Sequence, residues 1–208
     1  MRILLASGNP KKLVELRALL EPLGVLLCVP SDVGGLPEVI EDLPSFEGNA
    51  EKKARSAAAH TGMWSLADDS GLCVDHLDGA PGVLSARFAG DGERSEGQDA
   101  ANNAKLLELL ADVPDAERGA HFVCALCLVR PDGEVVLALH GEAHGQILHS
   151  PRGTRDFGYD PVFLFTEPDF PATGQSFAEL DTTAKSLVSH RGRALEALAA
   201  KLPALSLS

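Results

Sequence analysis

The opening of the chain sets the strongest constraint on its fold. RILLA (2–6) is a short apolar run of strand type and SGNP follows as a loop. KKLVELRALLEPLG then brings Leu13, Leu16, Leu20 and Leu23 back at helical spacing. Pro10 suits the first turn of that helix, Gly24 its end, and VLLCVP resumes as a strand. Strand, loop, helix, strand is an α/β signature.

The rest of the chain extends the pattern. Residues 31–45 are loop-like, rich in Gly, Pro and acids, and SFEGNAEKKARSAAAH (45–60) reads as a helix capped by Ser45 or Asn49. TGMWSLADD leads into a strand that ends at Asp68 and Asp69. Residues 71–92 hold short extended pieces between Gly and Pro turns. QDAANNAKLLELLADV (98–113) is a helix by its leucine spacing. HFVCALCLVRPDGEVVLALHGEAHGQI (121–147) is two long strands joined at Pro-Asp-Gly, the antiparallel part of the sheet. TAKSLVSHRGRALEALAAKL (183–202) is mostly helix. No repeat, low-complexity tract or linker divides the chain, so one α/β domain over residues 1–208 is expected, with two lobes around a cleft.

Composition narrows the function classes. Hydrophobic residues make up 45% and charged residues 23%, a soluble globular profile. No apolar run reaches the roughly 18 residues that span a bilayer, and the start is too soon polar for a secretory signal. A cytoplasmic protein without a membrane partner is expected. The net charge of −12 argues against coating a nucleic acid polymer, yet a few lysines and a metal can still present a small anion with positive charge. Of the four cysteines, Cys124 and Cys127 form a C-x-x-C inside a strand, where residues three apart face opposite ways. Cys28, Cys73, Cys124 and Cys127 are therefore expected as buried small hydrophobes. HGEAH (140–144) is not the H-E-x-x-H metal pattern, and its histidines read as surface groups.

Four stretches could carry chemistry. SGNPKK (7–12) opens a helix after a strand, so free backbone N–H groups there could cradle phosphate, with Lys11 and Lys12 adding charge. It lacks the Walker A pattern, and an ordinary strand-helix turn explains it equally well. In ADDSGL, Asp68 and Asp69 alternate in direction along a strand, so one could hold an ion while the other braces the turn that Ser70 and Gly71 allow. Magnesium takes one or two protein carboxylates, and Glu38, Glu41 or Asp42 of PEVIED could supply a second. A β-turn decorated with acids is the competing reading. Phe157 and Tyr159 flank a glycine before Asp160-Pro161, where a ring could stack on a planar base and the aspartate bond its edge; Phe163 and Phe165 belong to the core. Core packing competes for each ring. Ser189 caps a helix, which puts His190 and Arg191 in its first turn, close to Lys185. Cations there are unfavourable unless a ligand compensates, and a solvated basic patch is the alternative. Together these are the parts of a nucleoside triphosphate site.

SGNPKKLVEL, SFEGNAEKKA, ADDSGLCVDHLDGAPGVLSARFAG, FGYDPVF and SHRGRAL, in that order along nearly the whole chain, strongly resemble the Ham1/RdgB/ITPase family of inosine/xanthosine triphosphate pyrophosphatases. The resemblance implies a homodimeric α/β enzyme with a mixed, elongated central sheet, helices on both sides and two lobes around a substrate cleft. It implies Mg²⁺-dependent hydrolysis of ITP, dITP and XTP to the monophosphate and pyrophosphate, removing deaminated purines from the nucleotide pool. By position, Ser7, Gly8, Asn9, Pro10, Lys11 and Lys12 look like the triphosphate loop, supported by Glu15. Asp69 resembles the catalytic and metal-binding acid, with Asp68 its companion and Ser70 beside the substrate. Glu41 fits the other metal position, with Glu38 its rival. Asn49 and Lys53 match N-A-x-x-K-A. Phe157, Gly158, Tyr159 and Asp160 resemble the base-binding segment, and Lys185, His190 and Arg191 the remaining substrate contacts. Departures are Arg155-Asp156 for Gly-Gly, Ala184-Lys185 for Glu-Lys, and Gly48 for Glu. A Maf-type pyrophosphatase or a turnover-free nucleotide sensor are the rival readings; the FGYD and SHRG segments speak against the first, Asp68, Asp69 and Lys12 against the second.

Overall fold

The computed structural model describes residues 2–7, 13, 16–17, 20–90, 97–154 and 157–205. Six strands form one sheet in the order β2-β1-β3-β4-β5-β6. They are β1 (Arg2–Leu5), β2 (Leu26–Cys28), β3 (Trp64–Val74), β4 (Gly119–Val129), β5 (Val135–Ile147) and β6 (Phe163–Phe165). β1 pairs parallel with both β2 and β3, whereas β5 and β6 are antiparallel, so the sheet is mixed. The α-helices with described bounds are α1 (Phe46–Thr61), α2 (Gln98–Leu109), α3 (Thr182–Val188) and α4 (His190–Lys201). The α/β architecture is the one the sequence leads to. None of the described helices is long and apolar enough to cross a membrane.

The chain divides into two compact units. The first comprises residues 1–69, 124–141 and 193–208, the second residues 70–123 and 142–192. In the first, Ile3, Leu5, Leu16, Leu20, Leu66 and Leu126 belong to one buried apolar cluster. Leu13, Leu16, Arg17 and Leu20 are helical, in keeping with the spacing of the opening segment. α1 starts at Ser45, whose Oγ accepts the Gly48 N–H at 3.1 Å, and ends at Gly62 in the left-handed conformation. Ser45, not Asn49, is thus the cap. Ala50, Ala54, Ala57 and Ala58 are buried, small enough for the helix to lie close to its neighbours.

In the second unit, Phe163 and Phe165 are fully buried with Phe122, Phe177 and Tyr159. β6 approaches β5 so closely at Gly145 that a Cβ there would lie 2.2 Å from the Leu164 carbonyl oxygen. Arg118 is buried among carbonyls: its guanidinium donates to Leu110 and Val113 beyond α2 and to Ile147 and Leu148 at the end of β5. α3 is capped by Asp181, and α4 follows after a single residue.

Three local expectations need correction. β3 does not end at Asp68 and Asp69, and no turn forms at Ser70-Gly71. The strand runs on to Val74 because Leu72 and Val74 belong to the second unit's core. The segment after it is built of short 3-10 turns at Asp75–Leu77 and Gly82–Arg87 rather than extended pieces. There the backbone satisfies itself three residues back, as Asp78 N–H to Asp75 O and Leu84 N–H to Pro81 O show. Cys28, Cys124 and Cys127 are buried, but Cys73 is only half-buried; all are free thiols. His140 and His144 are exposed on β5, as expected.

Candidate functional site

In the first unit, α1 organises an acidic pocket. Its inward-facing Asn49 is fully buried and bonds both sides of Leu43, accepting its N–H at 3.1 Å and donating to its carbonyl at 3.2 Å. Lys52 donates to the Ile40 carbonyl at 2.9 Å and pairs with Asp42 at 2.6 Å. These ties fix the loop that carries Glu41. Lys53 Nζ then lies 2.8 Å from Glu41 Oε1 and 3.2 Å from Asp69 Oδ1. Asp68 lines the same cavity of about 390 Å³ with Glu41, Lys53, Ser56 and Ser7. Glu38, the rival of Glu41, is exposed and is not among the residues lining that cavity. Gly8, Asn9, Pro10, Lys11, Lys12 and Glu15 lie outside the described residues, as do Arg155 and Asp156.

Asp68 and Asp69 are both more than nine-tenths buried, at 4% and 8% exposure. Burial pushes the Asp69 carboxyl above its ordinary range, Glu41 pushes it further, and Lys53 opposes both. Burial alone would lower the Lys53 ammonium, but Asp69, Glu41 and Asp68 outweigh it and hold the ammonium above its usual value. Strand alternation therefore does not isolate the two aspartates electrically: both bear on one cation.

Magnesium fits this donor set. The oxygens are hard carboxylate oxygens, three acids face one ammonium, and buried Asp69 Oδ2 has no hydrogen-bond partner among the described residues. No group of three or more His, Cys, Asp or Glu among the described residues forms a ready-made cage. Magnesium takes one or two protein carboxylates and completes its shell with water and phosphate.

The second unit brings together the aromatic and basic residues. Gly158 has φ of +57°, a conformation glycine adopts without strain. Its N–H donates to Asp99 Oδ2 at 2.9 Å, and its carbonyl accepts from Asn103 Nδ2 at 2.9 Å. Tyr159 points into the core and donates to the Ser85 carbonyl at 2.9 Å, and burial pushes its phenol well up. It anchors the segment, and Phe157 beside it is half-buried. Asp160 is buried and ion-paired with Lys185, whose Nζ also lies 5.8 Å from the Phe157 ring centre.

At the start of α4, Ser189 Oγ accepts the Gly192 N–H at 3.1 Å, which is the expected cap. His190 in the first turn stacks on Phe122 with ring centres 4.7 Å apart and 10° between planes. Arg191 donates from Nη2 to Ser70 Oγ at 3.3 Å. Thus Ser70 and Arg191 meet, as do Asp160 and Lys185. Asp99, Asn103 and Ser85 are residues that sequence reasoning missed. The one signal for the first two was polar residues four apart on one helix.

A model of the Ham1 family matches residues 3–201. The chain belongs to the Ham1 family. Among its Ham1 relatives, the dITP/XTP pyrophosphatase of Geobacter sulfurreducens is 50% identical over 197 residues, 95% of this chain and 94% of that one. That of Rhodopirellula baltica is 48% identical over 193 residues, 93% of this chain and 88% of that one. The solved structure of a HAM1 protein from Coxiella burnetii has a TM-score of 0.88 at 39% identity, covering 99% of this chain and 100% of that one.

Proposed function

We propose that this Ham1 protein is a Mg²⁺-dependent nucleoside triphosphate pyrophosphohydrolase. It acts on dITP, ITP and XTP and releases pyrophosphate and the monophosphate. The observation that carries the reading is Lys53, ion-paired with both Glu41 and Asp69 beside a cavity that Glu41, Lys53 and Asp68 line. The names of the relatives, dITP/XTP pyrophosphatases at 48–50% identity, support the substrate class.

In this reading Glu41 and Asp69 hold the metal, which supplies positive charge to phosphate oxygens when bound. Asp69 orients a water and takes its proton. Water oxygen attacks the α-phosphorus, the bond from that phosphorus to the bridging oxygen breaks, and pyrophosphate leaves. Lys53 shares the negative charge that develops, together with Lys12. Phe157 stacks on the base. His190 and Arg191 donate toward the 6-oxo group, where adenine would present another donor and leave a buried group unpaired. Lys185 and Asp160 complete the base segment. The enzyme works as a homodimer on the free nucleotide pool of the cytoplasm.

Incubation with Mg²⁺ and a panel of nucleotides tests the reading by its products. Pyrophosphate with IMP or XMP is expected; orthophosphate with a diphosphate, or no turnover, overturns it. Asp69→Asn should lose at least about 100-fold in kcat. His190→Ala and Arg191→Ala should each narrow the ITP-over-ATP preference, and an unchanged preference in both removes them from base reading.

A further inference from the structure

The segment Phe157–Asp160 is held at one residue, Gly158, by two side chains of α2. The Gly158 N–H belongs to the peptide that follows Phe157, and its carbonyl to the peptide that precedes Tyr159. Asp99 fixes the first at 2.9 Å and Asn103 the second at 2.9 Å. A glycine left alone samples more of φ/ψ space than any other residue. Two bonds on the peptides flanking it fix both of its dihedrals. Asp99 and Asn103 are four apart, one turn of the same helix, so they present donor and acceptor as a single rigid fork.

We propose that Asp99 and Asn103 are positioning residues: by locking Gly158 at positive φ, they set the pose of Phe157 relative to Asp160 and so tune recognition of the purine base. The inference rests on the function proposed above. Other ties already anchor the segment in the fold: Tyr159 to the Ser85 carbonyl and Phe163 in the core. The fork is therefore not needed to keep the segment attached. Its added effect is on orientation. Asn102, the next residue of the same helix, serves as the contrast. It bonds Ser85, Ala86 and Ala89 and has no bond to Phe157–Asp160 among the hydrogen bonds described.

The test is steady-state kinetics with dITP, XTP and dATP on the full chain and on Asp99→Ala, Asp99→Asn, Asn103→Asp and Asn102→Ala. Asn103→Asp keeps the side chain's shape and replaces only the donor, so it preserves the helix. Asp99→Ala and Asn103→Asp should raise KM for dITP and XTP about tenfold, the effect of one lost bond to a fixed group, with kcat nearly unchanged. The preference over dATP should shrink in step. Asp99→Asn retains an acceptor and should recover most of the wild-type KM. Asn102→Ala should lower the melting temperature without moving the preference. Wild-type KM and preference in Asp99→Ala and Asn103→Asp, or an equal shift in Asn102→Ala, overturns the positioning role while the pyrophosphatase reading stands. Absence of turnover in the wild-type protein overturns both.

Discussion

At Asp69, burial and Glu41 both resist the ionised form, and Lys53 only partly offsets them. A carboxyl raised in the fold contributes stability below its ordinary pKa, and that contribution is lost as pH rises through the raised value. At neutral pH the Asp69 charge thus weighs against the fold. Asp69→Asn should melt higher than the wild type at pH 7, with the gap closing as the pH falls below the ordinary carboxylate range. A thermal melt series across pH in metal-free buffer reads it, even as activity is lost. Only Asp69's candidacy was legible from its place in ADDSGL, beside a β-turn decorated with acids as the competing reading. Its electrical neighbourhood was not, because Lys53 and Glu41 reach it only through the fold. Tyr159 shows the converse limit. Its loop position read equally as ligand or core, and only the Ser85 carbonyl decides between them.

Among the elements, the break between α3 and α4 does most to place His190 and Arg191. Ser189 ends one helix and caps the next, and a Cβ on Gly192 would lie 1.7 Å from the Ser186 carbonyl oxygen. No side chain fits there without the helices parting. Gly192→Ala should destabilise the protein by about 1–3 kcal/mol, as overpacked sites do, and should also impair base preference. A denaturant titration checks the first and substrate competition the second. The cap itself was readable, since Ser189 sits just before the helix and its bond is local. The length of β3 was not. Ser70 and Gly71 have the chemistry of a turn, and only the burial of Leu72 and Val74 draws the strand past them. Asp99 and Asn103 stayed hidden for a related reason: polar residues in a helix read as solvated until a loop is found against them.

For the molecule as a whole, the net charge is −12 and three acids bear on the single Lys53 ammonium, so the proposed function predicts that cation binding is a term in stability. Mg²⁺ should raise the melting temperature and EDTA should reverse it. At 100 times its Kd, one bound ion is worth about 2.7 kcal/mol. The α/β class was legible from element order, and motif order gave the family. The strand order β2-β1-β3-β4-β5-β6 was not, since pairing between distant strands leaves no local trace. Arg118 carries a consequence for how the second unit comes apart. Its donors are satisfied only when the segment beyond α2 and the end of β5 are both in place. A partly opened unit would hold a desolvated cation with stranded donors, so half-open states are penalised and the two segments should exchange their amide hydrogens together, as one cooperative block.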